Sequence, residues 1–347
     1  MKAAPDRRNT GTQGRDRLKF GLFGGARSKP GAADGYAEGY REYIDGVIEA
    51  EALGLHSNFL VEHHFSGIGQ VSASLSLLAY LAGQTTTIRL GTGVIVMPWH
   101  NPVLICEQAA TVDLLSDGRL DFGVGKGYRY IEFEGFSVAM DEATERFEEA
   151  MRLIRTAWTT EGRFDFEGKR WKYENIVVEP EPVQKPYPPL WLAAGRPESL
   201  AYAAREGYNL FLDQFATNKV IGERLAIYKT ALKQCGRAYD PMGVGVARAL
   251  MVVDNAAERE AAIEGRAKAL QFMNAFGISA DGKRKSSMVS DPDLRLATEQ
   301  GSLLGNPDQI IEQLHALQAD GIEYVLLSMA TREGVRRFAR DIMPAFG

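Results

Sequence analysis

What this 347-residue chain lacks narrows it first. It has only two cysteines, Cys106 and Cys235, too few for a disulfide scaffold and without the paired spacing of a thiolate metal site. No apolar run reaches the roughly 18 residues that a membrane span needs, and the longest candidate, 71–82, is broken by Ser72, Ser74 and Ser76. A basic excess is missing too: 40 Lys and Arg stand against 45 Asp and Glu, a net charge of −5 that disfavours a nucleic-acid partner. The first 17 residues lack the apolar core of a secretory signal, and Asp6 and Asp16 argue against a mitochondrial presequence despite Arg7, Arg8 and Arg15. They are read as a disordered tail on a soluble, cytoplasmic protein.

What is present is the composition of a globular enzyme, with 45% hydrophobic and 24% charged residues. From Leu18 onward, short apolar runs alternate with amphipathic stretches. Strands are expected at 18–23, 59–61, 88–97, 119–124, 190–194, 209–212, 244–253 and 322–329. Helices are expected at 36–53, 72–83, 102–115, 141–160, 197–206, 219–234 and 335–342. Another starts at Asn306-Pro307, a pair with the chemistry of an N-cap and a first turn, and runs to Gly321. The segment 162–182 breaks the rhythm and suggests a β-hairpin.

Eight strands alternating with helices point to an α/β fold, a (β/α)8 TIM barrel with insertions, spanning 18–347 as one domain. An open doubly wound sheet is the alternative, weakened because no G-x-G-x-x-G joins the first strand to the first helix. The polar segment 274–301, rich in Lys, Ser and Asp, reads as irregular: an active-site lid or a surface insertion.

Active sites of such barrels form where strands end and the following loops begin. The second strand runs into Glu62-His63-His64-Phe65, the third into Met97-Pro98-Trp99-His100-Asn101. The fourth ends in Gly125-Lys126-Gly127-Tyr128-Arg129-Tyr130 and the fifth in Ala194-Gly195-Arg196-Pro197-Glu198-Ser199. As a metal site the Glu-His-His triplet is weak, because successive strand residues point to opposite faces and the imidazoles diverge; no metal is expected. A histidine here serves either as a hydrogen-bonded structural residue or as an acid, base or donor near neutral pH. At the fifth strand, Gly195 lets backbone approach a ligand, Pro197 suits a first helical turn, and Ser199 offers a free hydroxyl in that turn. The N–H groups and dipole of a helix start favour an anion. Arg196 and Lys126 are either its cationic partners or solvated surface charges, and their placement at adjacent strand ends favours a phosphate.

The stretches 60–65, Gly91-Thr92-Gly93-Val94-Ile95-Val96-Met97-Pro98 and 115–127, with Glu132-Phe133, Arg146-Phe147, 189–199, Gly305-Asn306-Pro307 and Gly321-Ile322, together resemble the bacterial luciferase family over 18–343. That family comprises flavin-dependent monooxygenases on (β/α)8 barrels. The resemblance implies reduced FMN (FMNH2) at the C-terminal mouth of the barrel, supplied by a separate flavin reductase. It further implies addition of O2 to give a C4a-(hydro)peroxyflavin that oxygenates a small organic substrate.

On that pattern His63 matches the catalytic histidine, with the adjacent His64 as a second candidate. Glu62, Thr92, Gly93, Val94, Lys126, Tyr128, Gly195, Arg196 and Ser199 become the cofactor-binding set. Gly93-Val94 falls where the family has a non-prolyl cis peptide beneath the flavin ring. Lys126 replaces a phosphate-contacting arginine, which keeps the charge and loses the guanidinium fork. Arg196 stands where luciferase has a small hydroxyl residue, and Ser199 matches a hydroxyl that contacts phosphate. Phe23, Trp99, Tyr128 and Tyr130 are candidates to line the substrate cavity, and similar proteins are commonly homodimers through the early barrel helices. Three alternatives stay open: a deazaflavin F420-dependent hydride transferase on the same barrel, a flavin-binding protein without turnover and, more distantly, a metal hydrolase.

Overall fold

A computed structural model describes residues 18–28, 34–276, 278 and 293–347. The tail expected at 1–17 lies outside them, as does most of the segment 274–301 and with it any lid role. Along the chain, β1 (Lys19–Gly24), α1 (Gly35–Ala52), β2 (Ser57–Leu60) and α2 (Ser74–Gln84) lead to β3 (Arg89–Thr92) and its short continuation β4 (Ile95–Val96). Then come α3 (Pro102–Leu115), β5 (Leu120–Gly125), α4 (Tyr130–Gly135), α5 (Ala143–Thr159) and the pair β6 (Phe164–Glu167) and β7 (Lys172–Ile176). These are followed by β8 (Leu190–Ala193), α6 (Pro197–Glu206), β9 (Asn209–Leu212), α7 (Asn218–Gln234), β10 (Val244–Val252) and α8 (Ala256–Ala275). The chain ends through α9 (Leu294–Gly301), β11 (Ser302–Gly305), α10 (Pro307–Ala319), β12 (Tyr324–Ser328) and α11 (Arg332–Asp341).

The strands β1, β2, β3, β5, β8, β9, β10 and β12 pair in that order, all parallel, and β12 returns to β1. This is the closed (β/α)8 barrel expected from the sequence. Two local sequence features set its helices. Asn101 accepts from the N–H groups of Val103 and Leu104 to start α3, and Asn306 and Gln309 cap α10 reciprocally. Phe147, Met151, Ile154 and Trp158 make the buried face of α5. The hairpin expected at 162–182 is present as antiparallel β6–β7, held to α5 by Glu149, which accepts from the N–H groups of Arg170 and Trp171.

Inside the barrel, Phe59, Trp191, Phe211, Tyr324 and Leu326 form an aromatic layer, with Trp191 stacked on Phe211 at 4.9 Å between centroids. Trp191 Nε1 donates to Asp121 Oδ1, which Arg89 also binds. The barrel is thereby filled, and only its upper rim is left for a ligand.

Four elements were not anticipated. The helix α8 buries only Ile263, Arg266 and Leu270, so it carries almost no apolar periodicity to detect. The short helix α4 directly follows a strand end. The helix α9 and the strand β11 correct the expectation that 274–301 is irregular and leads straight into Asn306; β11 pairs with the upper part of β10, beyond the barrel ladder.

The third barrel strand is not the continuous run 88–97. The β3 ladder with β5 ends at Gly91–Asp121 and resumes only at Ile95–Val124. Between them, Thr92 Oγ1 donates to Gly123 O at 2.7 Å and accepts from Gly123 N–H at 2.8 Å. A side chain thus replaces the missing rungs and keeps the two strands together where one changes direction.

A Cβ on Gly123 would stand 1.9 Å from Thr92 O, a backbone atom that has no room to yield, whereas one on Gly24 meets nothing within 4 Å. Gly123→Ala is therefore expected to lower the unfolding free energy by about 2 kcal/mol or more, and Gly24→Ala by less than about 0.5 kcal/mol, in denaturant titrations. Equal effects would mean that the strand junction is not tightly packed.

Candidate active site

The C-terminal strand ends open onto one cavity of about 1010 Å³. Phe23 and Val94 pack on the aromatic layer below and face the cavity above. The Gly93–Val94 peptide in this floor is cis. A Cβ at Gly93 would lie 2.9 Å from the Phe23 ring, so a glycine is what fits there.

On one wall stands His63. Its Nδ1–H donates to Glu132 Oε1 at 3.0 Å, and the same oxygen accepts from the backbone N–H of His64 at 3.0 Å. Tyr128 meets the His63 ring edge-on at 6.2 Å. Burial lowers the His63 pKa from its ordinary value, and the nearby Arg129 charge adds to this; the hydrogen bond to Glu132 opposes both without overcoming them. His63 is thus neutral near pH 7, with its proton on Nδ1 and the Nε2 lone pair left for the cavity.

Behind that wall, Glu62 is 2% exposed and collects three donors on one oxygen. His100 Nε2 lies 2.8 Å from Glu62 Oε1, with His64 Nε2 and Trp99 Nε1 each at 3.1 Å. Burial alone would raise the Glu62 pKa, but the hydrogen bonds from His100 and His64 outweigh it and hold it at about 2. The ligand-type atoms of Glu62, His64 and His100 lie within 4.8 Å of one another, a donor set of the kind transition metals take. Their N–H groups already satisfy the carboxylate as a hydrogen-bonded network. His63 and His64 do diverge, although both lie in the irregular turn after β2 rather than in a strand, but His64 meets His100 at Glu62, a partner that the sequence did not bring to it.

On the opposite wall the loops after β5 and β8 bring cations together. Lys126 Nζ lies 3.2 Å from Thr144 Oγ1 and within 6.0 Å of the Phe147 and Tyr202 ring centroids. Burial lowers its pKa. Lys126 and Arg196 have no ion-pair partner among the described residues. Gly195 leaves room for Arg224, whose Cζ would lie 3.1 Å from a Cβ at that position, and Arg224 pairs with Asp213. The α6 N-terminus completes a site suited to a dianion.

The structure brings Phe23, Glu62, His63, Gly93, Val94, Lys126, Tyr128, Gly195, Arg196 and Ser199 to this cavity. Four other candidates lie off it. Thr92 is buried and spends its hydroxyl on Gly123. His64 turns its ring onto Phe136 at 4.7 Å. Trp99 stacks on Phe136 at 5.1 Å and donates to Glu62, so it belongs to the packing behind the wall. Tyr130 opens α4, its N–H donating to Phe276 O. The Ser199 hydroxyl is not free as expected: it donates to Arg196 O and accepts from Arg196 N–H.

Arg27, Arg129, Asp213, Gln214 and Arg224 also line the cavity and carried no role in the sequence reading. Arg224 sits within a helix, where a survey of strand ends finds nothing. Glu132 stands in a recognised motif, but only the fold shows that it holds His63.

The family model of luciferase-like monooxygenases matches residues 18–324. An uncharacterized protein of Sinorhizobium fredii, y4vJ, is 31% identical over 81% of this chain and 83% of its own. The oxygenase component of the flavin-dependent trigonelline monooxygenase of Acinetobacter baylyi is 26% identical, covering 88% and 90%. The F420-dependent glucose-6-phosphate dehydrogenase of Amycolatopsis mediterranei is 25% identical, covering 88% and 94%. Among solved structures, the monooxygenase RslO1 of Streptomyces bottropensis superposes with a TM-score of 0.81 at 24% identity, over 95% of this chain and all of that one.

The state of His63 is directly measurable. In an NMR titration its imidazole is expected to stay neutral until the pH falls below its ordinary 6.5, and Glu132→Gln, which removes the carboxylate charge that favours the charged form, moves the midpoint lower still. The unfolded chain takes that proton first, so His63 costs stability as pH falls below about 6.5. A midpoint above 6.5 in the wild type would contradict this account of the wall.

Proposed function

The chain belongs to the luciferase-like monooxygenase family of oxidoreductases, and from that premise we propose that it is the oxygenase component of a two-component system using reduced FMN and O2 to oxygenate a small organic substrate. The observation that carries this is the arrangement around the cavity: a cationic, helix-capped end opposite a neutral histidine, with a narrow glycine floor between.

The residues present fit the cofactor. Lys126, Arg196, Arg224 and the start of α6 would hold the terminal phosphate, whose dianion matches cations that have few partners of their own. Gly93, Val94 and Phe23 would support the flat ring. Bound reduced flavin supplies the electrons that activate O2 for transfer to a substrate. The protein's own part is to orient and to keep water out. His63, fixed by Glu132, offers Nε2 as a proton acceptor at the ring end, and Tyr128 shields it. Glu62, held by His64, His100 and Trp99, stiffens the wall from behind.

The Acinetobacter relative's description as an oxygenase component supports delivery of flavin by a separate reductase. Exposed apolar side chains on the early helices, Tyr80 on α2 with Leu104 and Leu115 on α3, support a homodimer. Among the described residues no helix is long and apolar enough to cross a membrane. Both cysteines are free thiols, which suits a reducing cytoplasm.

The test uses the purified chain with FMN. Calorimetry is expected to show binding that weakens about tenfold or more in Lys126→Ala. The wild type should protect reduced FMN from reoxidation by air. His63→Ala should keep the affinity within about threefold and lose that protection, with product formation down by a factor of about 10² to 10⁴. Turnover with F420 and no interaction with FMN would replace this function with hydride transfer.

A further inference from the structure

The cavity has a second cationic region, which the flavin phosphate does not need. Arg129 follows β5, lines the cavity and is 1% exposed. Its Nη1 donates to Gln70 Oε1 at 2.9 Å, its guanidinium lies 4.9 Å from the Phe276 ring centroid, and its Nε has no hydrogen-bond partner. Among the described residues the only carboxylate paired with it is Glu132, whose Oε1 is 3.8 Å away and already accepts from His63 and His64. Arg27, after β1, lines the same wall with no ion pair among the described residues. Burial and the Arg129 charge both lower its pKa. Behind them Arg266, 3% exposed, bonds Gln214 Oε1 and repels Arg27 in turn.

Three acidic groups of the cavity already have partners outside this region. Asp213 pairs with Arg224, Glu49 with Arg332 and Arg336, and Glu62 with two histidines. A buried guanidinium with an unused N–H is destabilising, a cost that an anionic ligand would remove. Arg129 and Lys126 share the loop after β5, but their side chains part: Arg129 turns to Gln70, Tyr128 and Phe276 beside His63, whereas Lys126 turns to Thr144, Phe147 and Tyr202, which separates this anion from the flavin phosphate. A guanidinium presents a planar fork, which matches a carboxylate better than a spherical ion.

We propose that Arg129 and Arg27 form the recognition site for the carboxylate of a small organic-acid substrate, which they anchor beside His63. The assignment deepens the flavin-oxygenase function and rests on it for calling the ligand a substrate, but the anion site itself is testable without flavin.

Benzoate and its neutral analogue benzamide serve as probes, titrated into the full chain by calorimetry without flavin and again with saturating FMN. Benzoate is expected to bind about tenfold or more tightly than benzamide in both series. Arg27→Gln should reduce benzoate affinity about tenfold while leaving benzamide within about twofold. Arg129→Lys keeps the charge but loses the fork, so it should erode the preference in the same direction, with a thermal melt confirming the fold. Lys126→Ala should leave the preference intact. Equal binding of the two probes, a preference untouched by both arginine variants, or one abolished by FMN or by Lys126→Ala would overturn the proposal, the last two by placing benzoate at the phosphate end. Failure of FMN to bind at all would instead remove the oxygenase function, and the flavin-free series would still decide whether an anion site exists.

Discussion

One buried carboxylate oxygen sets the geometry of the cavity wall that carries His63. Glu132 Oε1 accepts from His63 Nδ1 and from the His64 backbone N–H, each at 3.0 Å, and so ties a side chain and a main-chain turn to the same point. The first bond selects the tautomer of His63; the second fixes the backbone from which the His63 and His64 rings leave in opposite directions. Without that oxygen, neither the cavity-facing imidazole nor the rear network of Glu62, His64, His100 and Trp99 would have a defined position. The bond also favours the imidazolium, yet burial prevails and the ring remains neutral. Orientation and protonation are therefore set by different forces, and each can be altered without the other.

Glu132 can play this part only because the barrel brings α4 over the end of β2. A closed parallel barrel places every strand's C-terminal end on one rim, so Glu62, His63 and residues 125–129, 194–196 and 212–214 meet around one opening although up to about 150 positions separate them in the chain. The aromatic layer of Phe59, Trp191, Phe211 and Tyr324 fills the space beneath. Where β3 gives way to β4, the Thr92 hydroxyl holds Gly123 in place of ladder bonds. That duty explains why Thr92, though next to the floor peptide, does not reach the cavity.

Most of the barrel was legible in the sequence because its strands are short apolar runs and most of its helices carry a buried stripe. The Asn306-Pro307 start and the buried face of α5 follow from local chemistry alone. The helix α8 was illegible for the opposite reason: with three buried residues in 20, its pattern is nearly polar all round. Within the site, the strand-end rule and the family motifs located His63, Gly93, Val94, Lys126 and Gly195. They could not separate residues that face the cavity from those that face away. Trp99 and His64 lie one rotation of the chain from it, and their N–H groups are spent on Glu62 instead. Arg224 and Arg266 reach the region from helices, and Arg129 stood in a motif beside a more conspicuous lysine. Longer-range pairing of this kind is a property of the fold and is not written in any local spacing.

The distribution of charge then restricts how the two proposed ligands share one cavity. Lys126, Arg196 and Arg224 gather at the ends of β5 and β8 and on α7, whereas Arg129, from the same loop as Lys126, turns its side chain to Gln70 after β2 and joins Arg27 after β1 near His63. A flavin bound by its phosphate at the first cluster would extend its ring across Gly93–Val94 toward His63, and an acid held at the second would approach that ring from the far side. Repulsion between the phosphate and the carboxylate would keep each at its own end. Since His63 carries no charge of its own, it neither competes with Arg129 for the acid nor neutralises the flavin's phosphate, and its Nε2 is left free to exchange a proton where the two ligands meet.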